Sequence, residues 1–171
     1  MIPVISVVAG HSNTGKTTLL CQIIKSLKKR GYKVATIKHD VHGFEIDHPG
    51  KDTYNHRQAG ADIVMISSPK LFAMIEGVEE EYSLDQLLNK IQGVDIVFTE
   101  GYKKMDKPKI EVFREGISKE LVSPLNQLLA IVTDVDIENI DVDIENIKEI
   151  PQFSFNEIEK LVDLIEDKYL T

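Results

Sequence analysis

An apolar, β-rich run over residues 2–9 halts at Gly10 and passes straight into Gly10-His11-Ser12-Asn13-Thr14-Gly15-Lys16-Thr17-Thr18. Beyond it, Leu19, Leu20, Ile23, Ile24 and Leu27 recur at helical spacing. Lys28, Lys29 and Arg30 fill the last turn and Gly31 ends it. A buried strand, a G-x-x-x-x-G-K-T loop and an amphipathic helix in that order form a phosphate-binding arrangement. Successive backbone N–H groups wrap an anion, and the helix N-terminus adds partial positive charge. Gly10 and Gly15 allow a close backbone approach that a Cβ would block. Lys16 reaches the terminal phosphates of a nucleoside triphosphate as a point charge, and the Thr17 hydroxyl is placed to ligate Mg²⁺. The four fixed positions are only moderately specific; the strand before them and the helix after them make the motif strong.

The rest of the chain alternates strand and helix patterns. Strands are expected over residues 32–38, 63–66, 71–75, 94–99, 110–113 and 128–132. A short helix capped by Asp52 or Thr53 should reach Ala59, a second should open at Ser83 and run through Ile91, and residues 155–170 should close the fold as a helix. This alternation implies an α/β P-loop NTPase fold: a doubly wound, mostly parallel sheet with helices on both faces. No Pro/Gly/Ser-rich linker interrupts residues 1–171, which are expected to form a single nucleotide-binding domain. Cys21, the one cysteine, is expected on the apolar side of the first helix as a small buried hydrophobe. Residues 134–140 (Asp-Val-Asp-Ile-Glu-Asn-Ile) recur identically at 141–147. Two copies cannot build a solenoid, so the repeat is expected to be a short surface insertion.

A Mg²⁺–phosphate site takes one or two carboxylates besides the hydroxyl, placed at the C-terminal ends of strands near the loop. Asp40, after strand 32–38, and Glu100, after strand 94–99, meet that condition, whereas Asp95 stands at a strand start, the wrong end. Residues 39–56 hold four of the five histidines (His39, His42, His48 and His56) among Asp40, Asp47 and Asp52. Their spacing matches no closed zinc pattern and lacks a cysteine partner. They read either as a polar loop contacting a phosphate-bearing ligand or as a solvated loop, and the residues alone leave both open.

The net charge of −8 argues against general nucleic-acid binding. Basic residues gather at 16–39 and 103–109, including Lys16, Lys38, Lys103 and Lys109, as an anionic ligand would require. No stretch approaches the roughly 18–20 apolar residues of a membrane span. The apolar N-terminus lacks a basic segment and reads as a strand rather than a signal peptide, so a cytoplasmic protein is expected.

Five segments together resemble one family: Gly10–Thr18 with its Lys16, Ile37-Lys-His-Asp-Val-His-Gly-Phe44, Asp47-His-Pro-Gly-Lys-Asp-Thr53, Arg57-Gln-Ala-Gly-Ala61 and Phe98-Thr-Glu-Gly-Tyr-Lys103. They look like the MobB family of molybdopterin-guanine dinucleotide biosynthesis adaptor proteins, over residues 2 to about 134. The resemblance implies a GTP-binding P-loop protein with weak Mg²⁺-dependent GTPase activity. It would act beside the guanylyltransferase that attaches GMP to molybdopterin, assisting GTP delivery or handling of the cofactor. Asp40 and Glu100 occupy the positions where the wider branch holds Mg²⁺ by carboxylates. The family is dimeric with strands contributed across the interface, for which residues 71–75 and 110–113 are the edge candidates. An Asn-Lys-x-Asp guanine motif is absent; Asp134, at a strand end, is the candidate carboxylate for guanine N1–H and N2–H₂. The enzyme-class alternative is an ATP-dependent ligase or small-molecule kinase of the dethiobiotin-synthetase type; a third reading is a scaffold that orders its loops on nucleotide binding.

Overall fold

The computed structural model describes residues 1–135 and 147–171. Along the chain, its elements are β1 (Val4–Val8), α1 (Lys16–Lys29), β2 (Val34–Lys38), α2 (Asp52–Gln58), β3 (Ile63–Ser67), β4 (Phe72–Glu76), α3 (Leu84–Asn89), β5 (Ile96–Glu100), β6 (Lys109–Phe113), β7 (Leu128–Thr133), β8 (Gln152–Phe153) and α4 (Ile158–Tyr169), with a 3₁₀ turn at Leu125–Gln127. They fall into two compact units: Met1–His39 with Ile91–Thr171, and Asp40–Lys90. The tandem repeat lies outside the described residues except at its ends. Among the described residues no helix is long and apolar enough to cross a membrane.

The larger unit is a six-stranded sheet in the order β2-β5-β1-β6-β7-β8, with every described pairing parallel. Parallel strands are covered on both faces, which is why β1, β5, β6 and β7 read as nearly continuous apolar runs. Ile5, Val7, Phe98, Ile110 and Val132 share one core with Leu19, Ile23 and Leu27 of α1 and Leu161, Val162 and Ile165 of α4. Phe113, Ile131 and Ile147 form a second, smaller cluster. The two helices are also tied by polar contacts: Ser26 Oγ donates to Glu159 at 2.8 Å, and Arg30 bridges Glu159, Asp163 and Glu166.

Four expectations are corrected. Residues 110–113 are not an edge: β6 lies between β1 and β7, and every one of its residues is buried. Cys21 is exposed, because the buried face of α1 runs through Leu19, Leu20, Ile23, Ser26 and Leu27 and Cys21 projects away from it. Lys109 is not part of a basic surface. Its side chain is fully buried and its ammonium donates to the carbonyls of Met105 and Lys107 and to Gln127; burial lowers its pKa. The short helix α2 is capped by Lys51, one residue earlier than expected, with Asp52 in its first turn and the Thr53 hydroxyl donating to Asp47 instead. Strand β8 went unseen because two residues carry too little periodicity to register.

The smaller unit contains helices α2 and α3 and an antiparallel β3–β4 hairpin, separate from the six-stranded sheet. Ser83 opens α3 through a reciprocal capping box with Gln86, as its position before the apolar run predicts. Residues 45–57 are ordered by a bidentate pair between Glu45 and Arg57 (2.7 and 3.1 Å) and by Asp47, which accepts from His48 N and Thr53 Oγ1.

Candidate nucleotide-binding site

Strand β1 lies at the point where the sheet order reverses, with β5 on one side and β6 on the other. In an open α/β sheet, ligands bind at the carboxyl ends of the strands at such a point. Val8 ends β1 there, and residues 9–15 turn the chain into α1. Two left-handed residues make that turn possible, Asn13 at φ 61° and Gly15 at φ 96°; Asn tolerates this region and Gly favours it. Thr14 is fully buried and anchors the loop from beneath. Gly15, the N-cap of α1, offers no side chain to the helix, and the first turn carries no acidic residue. The unpaired N–H groups of that turn are therefore presented to an anion.

Lys16 and Thr17 lie at this helix start. The Lys16 ammonium donates to the His11 carbonyl at 2.9 Å and to Thr14 Oγ1 at 3.4 Å. Its pKa is lowered, chiefly by burial; Glu100 opposes that shift, while Lys103 and Lys38 add to it. The Thr17 hydroxyl lies 2.9 Å from both carboxylate oxygens of Glu100. Glu100 ends β5, and its side chain is only 13% exposed. Two oxygens bound side by side to an octahedral Mg²⁺ at 2.0–2.1 Å lie about 2.9 Å apart. Hydroxyl and carboxylate are hard oxygen donors, so chemistry and spacing both suit this ion. Among the described residues no group of three His, Cys, Asp or Glu side chains is arranged to hold a metal ion; Mg²⁺ in phosphate sites instead takes the rest of its shell from phosphate and water.

Asp95 opens the other end of β5, where it accepts from Lys33 N at 2.6 Å, as expected for a strand start. Asp40 belongs to the smaller unit; its Oδ1 accepts from His42 N at 3.0 Å in a tight turn. Asp134 follows β7, where its Oδ1 accepts from Glu115 N at 2.9 Å.

Sequence reasoning missed Glu111 and Arg114 and placed Lys103 only within a basic zone. Lys103 Nζ donates to the Gly10 carbonyl at 3.1 Å, bringing a second lysine onto the loop. Between it and Glu100, Tyr102 takes a left-handed φ of 54°, and its ring packs on His39 at a centroid distance of 4.8 Å. Glu111 on β6 is buried and accepts from Val122 N (2.7 Å) and Ser123 N (2.9 Å), holding that loop against the phosphate loop. A Cβ at Gly10 would meet Val122 at 3.4 Å, an ordinary van der Waals contact, so the loop carrying Val122 packs against the phosphate loop at this point. Arg114, after β6, reaches Gly15. Lys103 carried a prior signal in the basic zone and, with Tyr102, in the 98–103 segment; Glu111 and Arg114 carried none.

The family model for MobB, molybdopterin guanine dinucleotide synthesis protein B, matches residues 4–134. This chain belongs to the MobB family. The molybdopterin-guanine dinucleotide biosynthesis adapter protein of Escherichia coli (strain K12) is 35% identical over 172 residues, covering 96% of this chain and 92% of that protein. The Haemophilus influenzae protein of the same name is 33% identical over 155 residues, covering 90% and 86%. A crystal structure of molybdopterin-guanine biosynthesis protein B superposes with a TM-score of 0.71 at 30% identity, over 96% of this chain and 97% of that one. The Bacillus subtilis MobB structure, at 24% identity and a TM-score of 0.73 over 98% of both chains, shows the same fold. The MobB match spans the phosphate loop, Asp40, Glu100, Lys103, Arg114 and Asp134.

Proposed function

We propose that this chain is an adaptor of molybdopterin guanine dinucleotide biosynthesis that binds GTP with Mg²⁺ and hydrolyses it slowly. The convergence of Thr17 and Glu100 at the open N-terminus of α1 carries the reading; the names of the relatives supply the pathway. The loop from Gly10 to Thr18 holds the phosphates, Lys16 neutralises the terminal ones, and Thr17 and Glu100 hold Mg²⁺, directly or through water. Bound Mg²⁺ would offset charge on the β- and γ-phosphates as water displaces GDP from the γ-phosphorus. Lys103 adds positive charge from the same chain. Slow turnover fits a site that neutralises charge but, among the described residues, has none evident to orient the attacking water.

A molybdopterin guanylyltransferase is the proposed protein partner, with molybdopterin itself as a further ligand. A second copy of the chain is the proposed occupant of the β3–β4 hairpin, whose Ile63, Met65, Ile66 and Phe72 are exposed and whose strand edges are open. Equilibrium titration with GTP and ATP, with and without Mg²⁺, tests the nucleotide assignment. GTP should bind more tightly and depend on Mg²⁺; equal or tighter ATP binding would favour the ligase or kinase alternative.

A further inference from the structure

Glu100 ends β5, on one side of β1, whereas β6, β7 and β8 lie on the other side. A metal at Thr17 and Glu100 would place the terminal phosphates on the β5 side of β1, opposite the ends of β6–β8. Arg114 after β6 and Phe155 after β8 stand there beside Gly15, and Asp134 after β7 lies against Arg114.

Arg114 is held from both ends. Its N–H donates to Ser118 Oγ at 3.0 Å, and its carbonyl accepts from Ile117 N and Ser118 N. Its guanidinium carbon lies 4.4 Å from the Phe155 ring centroid, a cation–π contact. Its Nη2 comes within 3.8 Å of the point where a Gly15 Cβ would stand, and Phe155 Cε1 within 3.7 Å. The corner therefore abuts the phosphate loop. Arg114 Nε lies 3.7 Å from Asp134 Oδ2, too far for a hydrogen bond. That buried Nε has no hydrogen-bond partner among the described residues. Asp134 spends its other oxygen on Glu115 N. Arg114 and Asp134 thus form an ion pair without a hydrogen bond between them, and their side chains, 38% and 39% exposed, are open to a ligand.

We infer that Arg114 and Asp134 together read the base of the bound nucleotide and select guanine over adenine. This deepens the GTP reading above and rests on it. Side by side, the pair presents a donor next to an acceptor. The Watson–Crick edge of guanine presents O6, an acceptor, next to N1–H, a donor, so Arg114 pairs with O6 while Asp134 accepts from N1–H. Adenine presents the reverse order, an N6 amino donor next to the N1 acceptor. It sets donor against donor and carboxylate against lone pair, a mismatch that disfavours adenine. Phe155 supplies the apolar platform that fixes the guanidinium plane. The loop chooses triphosphates; this corner chooses the base.

The test titrates the full-length chain and its Arg114→Leu and Arg114→Lys variants with GTP, ITP and ATP in the presence of Mg²⁺. ITP keeps O6 and N1–H but lacks the 2-amino group, so it should follow GTP in every variant. Arg114→Leu should weaken GTP and ITP by about 10-fold while leaving ATP unchanged or improved. Arg114→Lys, which keeps the charge but loses the stacked fork, should lose part of the discrimination and guards against misfolding in the leucine variant. A parent chain that binds ATP as tightly as GTP sinks the GTP reading and this inference together. A parent chain that prefers GTP, with variants that weaken all three nucleotides equally, leaves the GTP reading standing and overturns the role given to Arg114.

Discussion

The two units treat the same kinds of residue in opposite ways. In the six-stranded unit Ile5, Val7, Phe98 and Ile110 are all 0% exposed, whereas in the hairpin Met65 is 59% and Phe72 62% exposed. The difference lies in architecture. A parallel sheet requires crossover helices and loops, which cover its faces. A two-stranded antiparallel ribbon has no such cover of its own and is marginal alone. The phosphate loop sits on the covered frame, where Thr17 and Glu100 can be held to a fixed spacing. The hairpin offers surface rather than chemistry.

Four substitutions test the contrast between the two units and the site on the larger one. Phe98→Ala should cost about 3–5 kcal/mol in urea denaturation, while Phe72→Ala at low protein concentration should change stability by about 0.5 kcal/mol or less. A comparable loss at Phe72 would mean that the hairpin is covered in the free chain. Lys16→Ala should weaken triphosphate binding about 100-fold with the urea midpoint unchanged; retained affinity would remove Lys16 from the site. Glu100→Gln should reduce the Mg²⁺-dependent part of nucleotide affinity about 10-fold and spare the metal-free part, and equal losses in both would deny Glu100 its metal role.

The smallest effect concerns the frame. Arg30 holds the Glu159 carboxyl below its usual range, and Tyr32 and then Arg30 do the same for Glu166. Carboxylates with depressed values stabilise the fold above the ordinary carboxylate pKa, and that contribution fades as the pH falls through the depressed value. Arg30→Ala should therefore lower the thermal midpoint at pH 7 and lose its effect on acidification towards pH 2. A loss independent of pH would assign Arg30 to packing alone.

Local signals were legible wherever the cause was local. The phosphate loop, the periodic face of α1, the Ser83 capping box and the strand ends that carry Glu100 and Asp95 all follow from short-range pattern. Errors arose where neighbours in space decide. Cys21 sits beside apolar residues in sequence yet projects off the buried face, and Lys109 looks like a surface cation until the carbonyls of Met105 and Lys107 enclose it. Residues 110–113 read as a short apolar strand whether central or at an edge; the pairings with β1 and β7 place them in the middle.

Local sequence alone marks Gly10–Thr18 as the candidate phosphate loop, because a strand, a glycine-punctuated loop and a helix start are contiguous and act through their own backbone. The surroundings of that loop come from long-range packing. Glu100, Lys103, Glu111 and Arg114 lie roughly ninety to a hundred residues further along the chain. They reach it because β5 and β6 flank β1, an order that no local pattern encodes.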